Sequence, residues 1–320
     1  MLVTHGAARA GNAPVALTIG NFDGVHKGHQ AMLARVAAEA RSRGTRSCVL
    51  TFEPHPREFF ERLRAKAAGA SAPTRLTSLR EKLELLESFG VERVHIERFS
   101  RALAGLAPEA FVREVILGLG ARWVLVGGDF RFGARRAGDI GLLESMGASA
   151  GYELEVMHPV MQDGTRISSG AVRAALAAGE LARAHALLGR PYSISGRVVH
   201  GDKLGRQLGF PTANIHMKHN RPPLTGIFAV RLHGTDGRIG EPRSGVASLG
   251  VRPTVKSAGA IVLEVHLFDF GGELYGRHVT VEFLHKIRDE EKYADLESLR
   301  AQIARDCEAA RGLLRVRGDV

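Results

Sequence analysis

The sequence predicts an α/β domain built on a parallel sheet, followed by an all-β domain, a small antiparallel β-barrel with a terminal helix. Three observations carry that expectation. Apolar strand-like runs alternate with helical periods through the first half, a Gly-Arg-Pro break stands at residues 189–191, and short alternating segments follow it. At 320 residues the chain is long for one domain, since domains usually run ~100–200 residues. The pattern divides it into residues 1–188 and 189–320.

Each element has a local reason. Residues 14–20 (PVALTIG) form a short apolar run ending in glycine, and residues 28–43 carry Met32, Leu33, Val36, Ala37 and Ala40 at helical spacing before Gly44. Residues 47–52 read as strand. Ser78 and Glu81 make a capping-box pair ahead of a helix carrying Leu83, Leu85, Leu86 and Phe89. Strand at 91–99, helix at 108–117, strand at 122–127, helix at 139–150 and strand at 152–160 complete the alternation. Such alternation predicts helices on both faces of a parallel sheet, with ligands at the C-terminal strand ends. Residues 65–72 read as an exposed loop and 169–188 as a helical stretch. Beyond the break, segments 192–200, 226–232, 244–250, 261–270 and 278–284 read as barrel strands. A last helix over 295–313 aligns Leu296, Leu299, Ile303, Cys307 and Ala310 on one stripe.

Composition narrows the class. Hydrophobic residues make up 44% and charged residues 24%, an ordinary globular balance. No apolar run reaches the ~18 residues of a membrane span, and the N-terminus lacks the pattern of a signal peptide. Cys48 and Cys307 have no metal-ligand spacing, so a reduced, cytoplasmic protein is expected, with no membrane partner. The net charge of +10 comes from 36 arginines and eight lysines scattered along the chain. Without a nucleic-acid motif or compact basic stripe, it reads as a solvated surface or an affinity for phosphorylated small molecules, not for nucleic acid. A monomer or weak homo-oligomer is expected.

Four clusters in the first half suggest phosphate chemistry. Residues 20–30 (GNFDGVHKGHQ) hold an HxGH in which His26 and His29 open a helix just after a strand. Glycines let the backbone approach a ligand there, and a helix N-terminus presents N–H groups to an anion. Two imidazoles three residues apart can stabilise charge on an α-phosphate while pyrophosphate leaves. Residues 51–56 (TFEPHP) follow a strand end, where two prolines stiffen a loop bearing an aromatic ring and an imidazole. Residues 127–133 (GGDFRFG) offer Phe130 and Phe132 to a flat ring and Asp129 as acceptor. In residues 167–173 (ISSGAVR), Ser168 and Ser169 at a helix start and Arg173 one turn in make a phosphate clamp. Separately, each also reads as a turn, a core-facing aromatic pair or an ordinary cap. Their joint placement after successive strands favours a site.

The second half carries a different constellation. In residues 201–215 (GDKLGRQLGFPTANI), Gly201, Gly205 and Gly209 recur outside any helical pattern, suiting a backbone wrapped around phosphates. Thr212 and Asn214 lie two apart on an extended segment and point the same way, as hard oxygen ligands for Mg²⁺ bound mainly by phosphates and water. In residues 261–268 (IVLEVHLF), Glu264 interrupts an apolar strand, where burial would raise its pKa toward that of a useful general base.

The four N-terminal motifs, in this order, resemble the adenylyltransferase half of the bacterial bifunctional riboflavin kinase/FAD synthetase family. GRQLGFPTANI, GIFAV, GVASLGVRPTV, LEVHLFDF and LYG resemble its riboflavin kinase half, so the likeness covers nearly the whole chain. The resemblance implies a Rossmann-like nucleotidyltransferase domain followed by a kinase barrel, with riboflavin, FMN and ATP as substrates and Mg²⁺ as cofactor. It implies a transferase that phosphorylates riboflavin to FMN and adenylylates FMN to FAD. It assigns His26 and His29 to the ATP phosphates, Asn21, Phe22 and Asp23 to the adenine-nucleotide pocket, and Ser168, Ser169 and Arg173 to further phosphate contacts. Phe52, Pro54, His55, Pro56, Asp129 and Phe132 would line the flavin side. Glu264 would be the base for the ribityl 5′-hydroxyl, Thr212 and Asn214 would bind Mg²⁺–ATP, and Arg288 would lie near flavin or phosphate. Two positions depart from the family pattern: Gly128 stands where an acidic residue is frequent, and Gly170 makes SSG of the usual SST. On the residues alone, two other readings stay open, a different HxGH nucleotidyltransferase and a non-catalytic flavin- or nucleic-acid-binding protein.

Overall fold

A computed structural model describes residues 1–6, 13–68, 74–201, 204–219, 221–234, 241–251 and 261–315. The chain forms two compact units, Met1–Pro73 with Leu79–Ser168, and Thr74–Ser78 with Ser169–Val320.

In the first unit, strands β1 (Leu2–His5) and β2 (Val15–Ile19) precede helix α1 (Lys27–Ser42), β3 (Arg46–Glu53), α2 (Pro56–Ala68), α3 (Leu79–Ser88) and β4 (Arg93–Arg98). Short helices α4 (Arg101–Ala104) and α5 (Pro108–Phe111) lead to β5 (Ala121–Gly127), α6 (Ile140–Ala150), β6 (Glu153–Met157) and a hairpin of β7 (Met161–Gln162) and β8 (Thr165–Arg166). The six-stranded sheet has the order β1-β4-β3-β2-β5-β6, and every pairing is parallel. β2 lies inside it and is buried at all five positions, as a strand covered on both faces must be. Val15, Leu17 and Ile19 pack with Phe111, Val112, Val115 and Leu143 on one face. Ala16 meets Val36 and Ala40 of α1 on the other. The strand order reverses between β2 and β5, which are neighbours in the sheet but not consecutive in sequence. The loops after β2, β3 and β5 therefore open at a topological switch point, where ligands of such sheets bind.

Some local expectations are corrected. Residues 65–68, expected as loop, are the last turn of α2, and 69–72 lie outside the described residues. The helix expected over 108–117 is one α turn, then a π segment at Val112–Ile116 and a 3₁₀ turn at Leu117–Leu119. The cause is spacing. Phe111, Val115 and Leu119, like Val112 and Ile116, recur every four residues and all are buried. Widening the turn beyond 3.6 residues keeps both rows on the sheet.

In the second unit, the expected helical stretch is two helices, α7 (Ser169–Ala177) and α8 (Leu181–Leu188), separated by Gly179 at φ 75°. Then come β9 (Tyr192–Val199), a four-residue helix α9 (Leu204–Gln207), β10 (Ala213–Met217), β11 (Gly226–Gly234), β12 (Arg243–Val251), β13 (Ile261–Leu267), β14 (His278–Arg288) and α10 (Leu296–Arg315). The strands close an antiparallel barrel in the order β10-β13-β12-β11-β14-β9, with β9 pairing back to β10. Alternation fills the interior. Leu263, Val265 and Leu267 of β13 are buried, while Glu264 and His266 between them are only partly so. Ile227, Ala229 and Val246 on the outside receive Ile303, Cys307, Ala310 and Leu314 of α10. Leu296, expected on that stripe, is 56% exposed at the helix start. Of the sequence motifs, Asp202, Lys203 and residues 252–255 lie outside the described residues.

Inside the barrel Phe228 and Phe283 are almost wholly buried and meet edge to face, with centroids 5.2 Å apart. Phe228→Ala should cost about 3–5 kcal/mol of barrel stability through lost burial and a residual cavity. Urea unfolding followed by far-UV circular dichroism reads that loss as a lower midpoint for the barrel transition.

Candidate functional site

The first site is built on the turn between β2 and α1. Phe22 and Val25 take φ 48° and 40°, a left-handed backbone that is rare for a bulky residue and rarer for a β-branched one. Both side chains are fully buried, among Leu33, Val49, Leu86 and Ile96. Their burial gives ~1.5–3 kcal/mol each, enough to offset ~1–3 kcal/mol of strain per residue. The turn is thus pinned from below, and α1 starts where the turn leaves it.

His26 is the N-cap of α1, its Nδ1 accepting from the His29 N–H at 3.4 Å. The rings of His26 and His29 stack at 3.7 Å, and Phe22 lies 4.9 Å behind His29. Gly28 keeps the space between them open: a Cβ there would press on the His26 ring at 3.2 Å. Burial, then the neighbouring His26, then Lys82 hold His29 well below its ordinary pKa, so it is neutral at pH 7. His29 Nδ1 and Asn21 Oδ1 are buried without a hydrogen-bond partner. Buried polar atoms are ordinarily satisfied, so two unmatched polar atoms beside a helix N-terminus point to a polar ligand. Asp23 is buried in the same turn.

The loop after β3 is shorter than expected, because Glu53 ends the strand and Pro56 opens α2. His55 caps α2 as His26 caps α1, its Nδ1 accepting from the Arg57 N–H at 3.1 Å. Phe52 packs edge-on to Phe99 at 5.9 Å, and Pro54 lies half-buried beside it in sequence. After β5, Asp129 is exposed and accepts from Arg166 of β8 at 2.8 Å, a pairing the sequence did not suggest. Phe132 is buried in the core against Phe111, and Phe130 stacks on it at 5.6 Å and remains partly exposed. Of this aromatic pair Phe130 is the ring with open surface. Gly128 has ordinary space around it, its nearest neighbour to a Cβ being the Met157 carbonyl oxygen at 3.9 Å. Ser168 closes the first unit, while Ser169 and Arg173 belong to the second, where Arg173 Nε donates to the Thr74 carbonyl at 2.7 Å.

The second site lies on the outside of the barrel. Asn214, Glu264 and Ser248 are register partners across β10, β13 and β12. Glu264 and Ser248 line a cavity of about 230 Å³ that also takes in Phe210, Thr212, Ile303 and Arg288, while Asn214 is buried beside Glu264. A second cavity of about 240 Å³ runs along Arg206, Thr212 and Tyr275. Thr212 lines both. A Cβ on Gly201 would collide with the Asn214 amide, and one on Gly205 would sit 3.2 Å from Thr212 Oγ1. The glycines therefore make the space these two side chains occupy. Glu264 is half-buried, not enclosed in the core. Arg288 is held in a two-pronged pair by buried Asp306 of α10, at 2.9 and 2.7 Å, and the carboxylate raises the guanidinium above its ordinary value. Gln302 donates to the same carboxylate at 2.9 Å. Sequence reading missed Ser248, Tyr293 and Asp306 of this cavity. The only signal for Asp306 was its place beside Cys307 on the buried helix stripe.

Two family models match the chain: FAD synthetase over residues 8–171 and riboflavin kinase over residues 188–314. A bifunctional riboflavin kinase/FMN adenylyltransferase of Escherichia coli (strain K12) is 46% identical over 304 residues, covering 94% of this chain and 93% of that protein. One from Pseudomonas fluorescens is 47% identical over 297 residues, with 92% of each chain covered. A crystal structure described as a macrolide-efflux protein from Streptococcus pneumoniae matches with a TM-score of 0.79 and 27% identity, covering 97% of this chain and 99% of that one. Among the described residues no helix is long and apolar enough to cross a membrane.

The depressed His29 pKa has a sign that can be checked. In the unfolded chain this residue takes up a proton near 6.5, and in the folded chain only well below that. Its contribution to stability is therefore present above 6.5 and is lost as pH falls from there toward the folded value. The chain's single tryptophan, Trp123, is 3% exposed in the same unit and reports its unfolding. The urea midpoint from its fluorescence should be lower at about pH 5.5 than at about pH 7.5. His29→Asn should shrink that difference.

Proposed function

The chain belongs to the bifunctional riboflavin kinase/FMN adenylyltransferase family, and from that premise we propose how its parts divide the two reactions. It phosphorylates riboflavin to FMN with ATP and adenylylates FMN with a second ATP to FAD. We assign adenylylation to residues 1–188 and phosphorylation to residues 189–320. One observation carries that division: each part has its own polar group, the stacked histidine pair at α1 in one and Thr212 between two cavities in the other.

For adenylylation, the ATP phosphates sit at the N-terminus of α1 against His26 and His29. An FMN phosphate oxygen attacks the α-phosphorus, the bond to the bridging oxygen breaks, and pyrophosphate leaves. A neutral His29 donates an N–H to a phosphate oxygen, and His26, whose Nδ1 caps the helix, lies stacked beside it. Asn21 and Asp23 shape the nucleotide pocket, with buried Phe22 as their backing. Ser168 adds a phosphate contact. Phe52, Pro54, His55, Pro56 and Asp129 line the flavin side, and Phe132 acts there by supporting Phe130.

For phosphorylation, riboflavin occupies the cavity walled by Phe210, Ile303 and Glu264, and ATP the one along Tyr275, so that the γ-phosphate meets the ribityl 5′-hydroxyl beside Thr212. Glu264 takes the hydroxyl proton as the oxygen attacks phosphorus and ADP leaves. Arg288, already paired with Asp306, shapes the flavin side instead of supplying a free charge. Mg²⁺ fits this opening. Thr212 and Asn214 supply neutral oxygens in space the glycines provide, and the described residues hold no cluster of three metal-binding His, Cys, Asp or Glu side chains. That donor set suits an ion carried mainly by phosphates and water. Bound there, the ion would neutralise charge on the β- and γ-phosphates. Two free, buried cysteines accord with a reducing, cytoplasmic setting, and a monomer or weak homo-oligomer completes the proposal.

Incubation with riboflavin and MgATP, with flavins separated by chromatography, tests both steps; absence of FMN and FAD would overturn the reading. His26→Ala should lower FAD formation ~10²–10³-fold while FMN accumulates. Glu264→Gln should lower FMN formation ~10²–10⁴-fold, yet supplied FMN should still become FAD. If Glu264→Gln phosphorylates riboflavin normally, the base is another group.

A further inference from the structure

Behind the histidine pair lies a charge that the reaction as assigned does not use. Lys82 of α3 is 3% exposed. Its Nζ donates to Thr51 Oγ1 at 3.5 Å, and Thr51 Oγ1 donates to the Asn21 carbonyl at 3.3 Å. Thr51 is itself fully buried. A relay of hydrogen bonds therefore runs from α3 through the end of β3 to the turn that carries the nucleotide pocket. The same lysine is close enough to His29 to act on its charge.

We propose that Lys82 is a positioning residue for adenylyl transfer: its buried ammonium holds Thr51, and through it the Asn21 carbonyl, while setting a fixed positive charge behind His29. The inference rests on the assignment of His29 to the ATP phosphates. Lys82 is too buried to touch ATP itself and acts through its neighbours. The relay joins three elements at the point where the turn departs from β2, so Asn21 keeps its place when its side chain meets a ligand. The charge acts in the same direction as burial, against protonation of His29. The titratable groups acting on His29 are His26 across the stack and Lys82 from α3, with Phe22 an uncharged wall. The turn's own carboxylate, Asp23, is buried three residues before His26. A neutral imidazole keeps one N–H and one lone pair, and so meets a phosphate as donor without bringing a labile charge.

The test uses the full chain and two variants that separate the effects. Lys82→Gln keeps a donor for Thr51 and removes the charge. Thr51→Val keeps the charge and removes the relay. Lys82→Gln should lower kcat for FMN to FAD at least ~10-fold, with a smaller change in the KM for MgATP. It should also move the acid limb of the pH–rate profile to higher pH, because His29 then protonates more readily. Riboflavin phosphorylation by the same sample should be unchanged. Thr51→Val should lower kcat and leave the acid limb in place. Histidine-selective NMR, with the His29 signal assigned by its loss in His29→Asn, should place the His29 titration below 6.5 in the unsubstituted chain and higher in Lys82→Gln. An unmoved titration and acid limb in Lys82→Gln overturn the proposal. So does a His29 titration at or above 6.5 in the unsubstituted chain, which needs no lysine variant to fold. If the unsubstituted chain makes FMN but no FAD, the adenylylation assignment fails, whereas normal FAD synthesis by Lys82→Gln removes only the role of Lys82.

Discussion

The first unit depends on one constraint, the left-handed turn between β2 and α1. Two bulky residues, Phe22 and Val25, hold backbone angles they would not choose, and they hold them because their side chains are buried. Apolar burial and strain here have similar size, so the turn persists only while its packing does. Everything that makes the site follows from where this turn ends. It sets His26 as the cap of α1, stacks His29 on it, and leaves Asn21 at the interior end of a buried relay. A strained loop on a rigid sheet is a means of fixing polar atoms without polar packing around them.

The barrel reaches a comparable end differently. Its interior is filled by Phe228, Phe283, Leu263 and Val265, which leaves no room for chemistry inside. The functional side chains instead stand on the outer face, where strand register, not loop strain, sets their spacing. Asn214, Glu264 and Ser248 are neighbours because three strands pair in one register, and a one-residue slip would turn Glu264 into the core. Helix α10 then covers the apolar part of that face and commits Asp306 to Arg288. The cavity is thus bounded by a helix on one side and by Thr212 on the other.

Both halves also hold buried charge. In the barrel, Arg288 and Asp306 neutralise each other at close range, which favours stability and shape over reactivity. In the first unit, buried Lys82 acts on the titration of His29, whose Nδ1 is buried without a hydrogen-bond partner. Perturbed titration beside unmatched polar atoms marks a site that expects a ligand, whereas a closed ion pair marks a wall.

Much of this was legible in the sequence. The alternation of apolar runs and helical periods, the change of pattern near residue 190, and four motifs each placed after a strand are local signals. They rest on periods of 2 and 3.6 residues and on glycine or proline at turns, which neighbours in sequence decide for themselves. Glu264 on a strand face, and Thr212 with Asn214 two apart, came from the same reasoning. Tertiary structure alone decided which charges are answered and by whom. Lys82 is an ordinary helix lysine in sequence, Arg288 and Asp306 are 18 positions apart, and Thr212 lines two cavities only because the barrel closes around it. Phe132 looked available to a ligand and is core, and residues 108–119 looked like one regular helix and are not. Burial of a charge, the inward face of a ring and the width of a helical turn are set by residues far along the chain. No local period carries that information.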